Sequence, residues 1–490
     1  MYIILAGYNI DLDALKDKKS VLTPETFSSA YARISRSPKS VSELRAIARK
    51  EITKAREQNR RIIFEMGHHA VAEHSVFNFD IMDISRFAVE HLESHRLMSY
   101  TEASQRYIEW NSKFIVPDEL KKSKLLPQFL KTIRIQNNAY QKLVKKLKPF
   151  ETKLTKPIED ARYVTSLATA TQLGATMNAR NLELLIRRCA SSDIFEVRTL
   201  GERLYNLVIK IAPSIILFYE PTEYDKKTYS ELRKIFHRDA ETRVRHKDIL
   251  SSRHCEEQSD KAISGDCFTN VRNDNICSLV DWTQNGDDKI IAGIIHRVSN
   301  ISFIDALKQV KKLSYSRKLE YIKQAFKYAK LYDATLREFE HSYLTFELIV
   351  SAACFGQLKR HRIATITAQD YDLSLGVTIP DTIRQGKQTD LFNKVIETTE
   401  KTYDKLYKEL PQVAPYILTQ SHRRRVLLTV NIRELYHIAR LRMDATAQWD
   451  IREITTKMLE QAQKKMPLSL LFCGAKNQFD LTHQKFFSNQ

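Results

Sequence analysis

A chain of 490 residues, 43% hydrophobic and 28% charged, is too long for one ordinary core and fits two domains of about 200 residues each. Its apolar runs, such as Tyr343 to Phe355 with Glu347 inside it, fall short of the roughly 20 residues a bilayer span needs. The net charge of +19 attracts polyanions without choosing between nucleic acid and small phosphorylated ligands.

The opening MYIILAGYNIDLDALKDKK has no basic stretch ahead of its apolar residues, so it does not read as a signal peptide and a cytoplasmic location is expected. Further along, YARIS (Tyr31 to Ser35) is echoed by IHRVS (Ile295 to Ser299), and AEHSVFNFDI (Ala72 to Ile81) by FEHSYLTFEL (Phe339 to Leu348). His91 to Trp110 pairs with Gly356 to Leu375 around a shared His-Arg, and MNARNL (Met177 to Leu182) pairs with VNIREL (Val430 to Leu435). Four matches in one order mark a tandem duplication.

After each Glu-His, apolar residues alternate (Phe77, Phe79, Ile81; Leu344, Phe346, Leu348), the period of a half-buried strand. A helical segment then leads into each His-Arg loop. From Asn431 the chain carries apolar residues at 432, 435, 438 and 441 with neither Gly nor Pro through Gln461, which predicts one long amphipathic helix. Each half is therefore expected to be α+β, with an antiparallel or mixed sheet and long helices, over 1–225 and 287–490. The intervening 226–286 is expected to be a disordered linker with a repeat-derived insert. His254, Cys255, Cys267 and Cys277 lack a paired zinc-ligand spacing, so no metal is expected. The six cysteines show no CxxC and read as free thiols.

GHHAVAEH (Gly67 to His74), SHRLMSYTEASQR (Ser94 to Arg106), RHR at Arg360 to Arg362, and NIREL followed by AQWDIR (Ala447 to Arg452) together resemble the flavin-dependent thymidylate synthases. The resemblance covers most of both halves and implies that dUMP is held by Gln357, Arg360, Glu102, Ser104, Arg106 and Arg162. FAD is implied at Arg360, His361, Arg362, Asn431, Arg433, His437 and His68, with Arg442 catalytic at the uracil ring. Ser35 and Ser299 match a flavin-contacting serine of the family and equally suit helix caps. A hydroxyl and two guanidinium groups suit a phosphate dianion.

Each copy departs from the pattern where the other keeps it. Ser94 replaces the first Arg of the signature, and His91 stands where the second half has Gln357. Conversely Asp370, Asp372 and Pro415 stand where the first half has Ser104, Arg106 and Arg162. Two carboxylates repel a phosphate. Counted from Asn178 the counterpart of Arg442 is Cys189; counted from the downstream Arg198 it is Arg188.

The resemblance implies reductive methylation of dUMP to dTMP by a methyltransferase that uses FAD, methylenetetrahydrofolate as carbon donor and NADPH as reductant. It implies one composite site shared by the two copies, and a homodimer imitating a four-domain assembly. An inactive flavin- or nucleotide-binding pseudoenzyme is the alternative; complementary rather than parallel loss argues against it. A basic nucleic-acid binder is a further one, but the chain shows no zinc finger or RNA-binding aromatic signature, and GxGxxG and GxxxxGK[ST] elements are missing as well.

Overall fold

The computed structural model describes residues 1–152, 156–238 and 276–487. Its two compact units do not coincide with the two halves of the sequence. One comprises Met1–Ile133, Ser166–Cys267 and Lys401–Ile417; the other comprises Arg134–Thr165, Phe268–Glu400 and Leu418–Gln490. Each repeat lends one segment to the unit built mainly from the other, and the long helices Leu126–Leu147 and Thr389–Glu409 each contain a division point.

The first unit is organised by an antiparallel sheet of β1 (Tyr2–Tyr8), β2 (Val76–Ser85), β3 (Ser99–Glu102) and β4 (Ala170–Asn178), in the order β1-β2-β4-β3. Phe77, Phe79 and Ile81 are buried while Asn78 and Asp80 between them are exposed, as the period of two requires. The second unit repeats the plan with β5 (Cys277–Trp282), β6 (Tyr343–Ser351), β7 (Thr365–Tyr371) and β8 (Arg423–Asn431), in the order β5-β6-β8-β7. Its core includes Phe326 stacked on Tyr436 and Phe472 at 5.4 and 4.8 Å; burying each such ring contributes about 1.5–3 kcal/mol. The fold is α+β in both units, with sheets that are wholly antiparallel.

Two features depart from the sequence expectation. Strand β5 and most of the helix Glu223–Arg238 lie within the segment assigned to a linker; CSLVDW is short, and composition alone hid its place as a sheet edge. Of the proposed insert and its His and Cys residues, 246–275 fall outside the described residues. The long helix expected from Asn431 is also broken, into separate helices at Ile432–Arg442 and Trp449–Lys465.

In the first unit β4 feeds α1 (Ala179–Ala190), which is followed by α2 (Phe195–Val208); in the second, β8 feeds α3 (Ile432–Arg442), followed by α4 (Trp449–Lys465). Asn178 and Asn431 cap α1 and α3 by accepting the amides of Asn181 and Glu434 at 3.0 and 2.8 Å. Asp444 accepts the Thr446 amide at 3.0 Å and Gln448 caps α4, so side chains that hydrogen-bond to nearby backbone stop one helix and start the next without Gly or Pro. Arg442 is thereby left as the last residue of α3.

The lent segments are anchored in matching ways. In the first unit the Tyr416 hydroxyl donates to Glu196 at 2.8 Å, and the Ser85 hydroxyl donates to the same carboxylate at 2.6 Å. In the second unit Tyr163 donates to Asp450 at 2.9 Å, beside Ser351 at 2.5 Å. Burial raises the pKa of both carboxyls, with these donors acting against the shift. A buried carboxylate left without its donors costs about 1–3 kcal/mol or more, so each unit depends on the tyrosine it receives.

Candidate active site

In the second unit, the loop between the Ala352–Leu358 helix and β7 meets the C-terminal end of α3. Arg442 Nε donates to His361 Nε2 at 2.9 Å, and its Nη2 donates to the Gln357 carbonyl at 3.2 Å. The Gln357 side chain donates to Gln448 Oε1 at 3.2 Å, and Gln448 in turn donates to the Tyr163 hydroxyl at 2.6 Å. A buried chain of amides thus runs from Asp450 through Tyr163 and Gln448 to the residue that holds Arg442. His361 is buried, and burial lowers its pKa while Glu434, with Oε1 3.5 Å from Nδ1, opposes the shift.

Around this centre Arg360, Arg362 and His437 are exposed, and the His437 ring stands edge-on to His361 at 5.8 Å. Exposed guanidinium and imidazole groups beside a fixed arginine suit a ligand carrying both rings and phosphates. Asn431 spends its side-chain oxygen on the α3 cap. Arg433 donates to the Thr335 carbonyl at 2.7 Å and to Glu340 at 2.9 Å. Arg162 also belongs to this unit: it is buried, and its Nε donates to the Glu159 carbonyl at 3.2 Å. Ser299 donates to the Ile295 carbonyl at 2.7 Å, a helix-end role.

His361, Glu434 and His437 present ligand atoms within 4.8 Å of one another, a spacing that a metal ion could use. The tautomer opposes it. Because a guanidinium only donates, His361 Nε2 must carry the lone pair, which puts the proton on Nδ1, the atom facing Glu434.

The first unit holds Glu102, Ser104 and Arg106, of which Ser104 lines its cleft. Ser104, Gln105, Trp110, Asp83, Lys113 and Thr171 line a cleft of about 270 Å³. Glu102 is buried and anchors the loop, accepting from Arg86 at 2.9 Å and Thr171 at 3.1 Å. Ser104 Oγ accepts the Arg106 amide at 3.3 Å, and the Arg106 guanidinium lies 5.4 Å from the Tyr107 ring centre. Asp83 sits at φ +55° in a β-bulge, uncommon for a residue other than Gly, and pairs with Lys113 Nζ at 2.5 Å. β6 pairs with β8 without such a shift; the bulge is the one residue by which the first repeat is longer here. His68 is exposed directly after Gly67, whose φ of +74° favours glycine.

Counting from the helix caps makes Cys189 the counterpart of Arg442. Cys189 is buried against α2, where a Cβ added to Gly201 would lie 2.6 Å from its own Cβ, so an arginine has no room there. Arg188 is exposed. Sequence reasoning passed over Tyr163, Asp450, Gln448 and Glu434. The tyrosines could have been noticed at equal distance before the two capping asparagines, fifteen residues in each case.

The α+β scaffold fixes one guanidinium at a helix end and holds a hydroxyl and a second arginine on a separate loop. Residues 19–214 and 278–468 match the family model described as thymidylate synthase complementing protein, and the chain belongs to that family of flavin-dependent thymidylate synthases. The flavin-dependent thymidylate synthase of Clostridium tetani is 30% identical over 212 residues, covering 41% of this chain and 83% of its own. A UPF0159 protein of Chlamydia muridarum is 23% identical over 435 residues, covering 84% of this chain and 79% of its own. Thymidylate Synthase X of Helicobacter pylori, solved with FAD and dUMP, covers 46% of this chain and 100% of its own at 20% identity and a TM-score of 0.32. No helix among the described residues is long and apolar enough to cross a membrane.

Proposed function

We propose that this chain is an FAD-dependent thymidylate synthase that converts dUMP to dTMP, with methylenetetrahydrofolate as carbon donor and NADPH as reductant. On this reading the two repeats supply complementary residues to a single reaction, the chain pairs as a homodimer, and it works in the cytoplasm. The observation that carries the proposal is Arg442 locked onto His361 and the Gln357 carbonyl, while the first repeat, with Cys189 in its place, keeps Ser104 and Arg106.

The residues divide the work. Ser104, Arg106 and Arg162 take the phosphate end of dUMP, with Glu102 holding the loop of Ser104 and Arg106, and Gln357 and Arg360 contribute toward the nucleotide. Arg442 faces the uracil ring, where a fixed cation stabilises the negative charge that makes C5 nucleophilic. FAD, held by Arg360, His361, Arg362, Asn431, Arg433, His437 and His68, supplies the redox chemistry of the transfer. No cysteine attack is needed: the thiols of Cys189 and Cys277 are pushed up to about 12 by burial, and Cys354 and Cys473 are raised as well, so none of these four is a ready nucleophile.

The test is direct. Purified protein supplemented with FAD should turn yellow, absorbing near ~450 nm, and form dTMP from dUMP, methylenetetrahydrofolate and NADPH. Flavin retention without dTMP would leave a pseudoenzyme, and salt-sensitive nucleic-acid binding by colourless protein would favour the basic-binder reading.

A further inference from the structure

We propose that Glu434 and His361 form a carboxylate–imidazole relay that positions Arg442: Glu434 accepts the Nδ1 proton of His361, which keeps the Nε2 lone pair turned to Arg442 Nε–H. The geometry supplies both ends, with Nε2 2.9 Å from Arg442 Nε and Nδ1 3.5 Å from Glu434 Oε1. The second distance is long for a strong hydrogen bond, so the carboxylate acts on the Nδ1 proton chiefly as a nearby charge and acceptor. With Nδ1 protonated, the imidazole can only accept from the arginine. Were the proton on Nε2, two donors would face each other at the buried end of the site and the guanidinium would be pushed off its seat.

The duplication provides an internal control. In the first repeat the histidine persists as His95, buried, its pKa lowered to about 4 by burial and then by Arg188 and His91. There Asn181 stands for Glu434 and Cys189 for Arg442; the adjacent Arg188 is exposed and acts on His95 only by lowering its pKa through charge. Asn181 turns its amide to the Leu97 carbonyl and to Asn178. A glutamate at the third position of a helix suits the helix dipole wherever it occurs, but dipole stabilisation alone gives no reason for it to accompany the arginine. A carboxylate that orients an imidazole through Nδ1–H is a recognised way of fixing a tautomer. Glu434 is a positioning residue: it acts on Arg442 through His361.

The catalytic part of this inference rests on the proposed function, but its structural part does not. Nitrogen NMR of 15N-histidine-labelled full-length protein, assigned by the signal lost in His361→Gln, reads the tautomer without any turnover. His361 should carry its proton on Nδ1 in the wild-type chain and populate both tautomers in Glu434→Ala. Glu434→Gln, which keeps an acceptor, should retain Nδ1–H and most activity. In the dTMP assay Glu434→Ala should lower kcat roughly 10- to 100-fold, the scale of a misplaced catalytic group, with KM for dUMP little changed. An Nε2–H tautomer in the wild-type chain would overturn the relay, as would an unchanged tautomer in Glu434→Ala. Tight binding of Zn(II) that requires Glu434 and His437 would also overturn it, since a metal needs the Nδ1 lone pair.

Discussion

His95 and His361 hold the same place in their repeats and have opposite surroundings. His361 lies between a carboxylate and an arginine that it helps to orient; His95 is buried, and the charges of the exposed Arg188 and of His91 lower its pKa beyond the effect of burial. The phosphate side shows the reverse. Ser104 lines the cleft of the first unit and Arg106 follows it two residues on, whereas the second repeat places the exposed carboxylates Asp370 and Asp372 at those positions. A fold needs its buried histidine in both copies to fill space, but it needs the reactive constellation only once. On the proposed function, comparing the two repeats separates residues that serve the scaffold from those that serve chemistry.

The largest expected effect comes from removing what only the second repeat has. Arg442→Ala should reduce dTMP formation by roughly 10²–10³ in kcat, the usual cost of losing a donor aimed at developing charge. Cys189→Ala, at the matching position, should leave kcat nearly unchanged. The converse pair sharpens the phosphate side: Arg106→Ala should raise KM for dUMP by about 10- to 100-fold, equivalent to the 1.5–3 kcal/mol of a charged hydrogen bond, whereas Asp372→Ala should be almost silent in the same assay.

The lent tyrosines allow a subtler separation. Tyr163→Phe and Tyr416→Phe each remove a donor from a buried carboxylate and should each cost about 1–3 kcal/mol in denaturant unfolding. Only Tyr163→Phe should also lower kcat several-fold, because only Tyr163 accepts from Gln448 on the path to Gln357. Equal kcat values would remove that distinction between the units.

The smallest difference concerns pH. His95 and His422 both have pKa values lowered to about 4 by burial. Their neutral forms contribute stability that is complete above the unfolded value near ~6.5 and is lost as pH falls toward about 4, by up to roughly 3 kcal/mol for each imidazole. Thermal unfolding from pH 7.5 to 4.5 should therefore show falling midpoints, with a shallower slope in a His95→Asn variant. A midpoint that rises on acidification would contradict this assignment.

Much of the scaffold could be read from the sequence, because alternating residues such as Phe77, Phe79 and Ile81 report directly on which strand face is buried. The paired stretches of the two halves are legible for the same reason: they are local patterns. What escaped depends on chain that is distant in sequence. Tyr163 and Tyr416 have meaning only once each is seen in the unit built mainly from the other repeat. Glu434 at the start of a helix looks like dipole complementation until His361 is found facing it. The break between α3 and α4 rests on Asp444 and Gln448 turning to nearby amides, which a search for Gly and Pro overlooks.

The central claim is that two incomplete copies serve one reaction. Calorimetric titration of dUMP into the full-length protein supplemented with FAD counts nucleotides per chain. The account predicts one, with binding weakened by Arg106→Ala and untouched by Asp372→Ala. Two nucleotides per chain would show that each repeat binds for itself and would contradict the account.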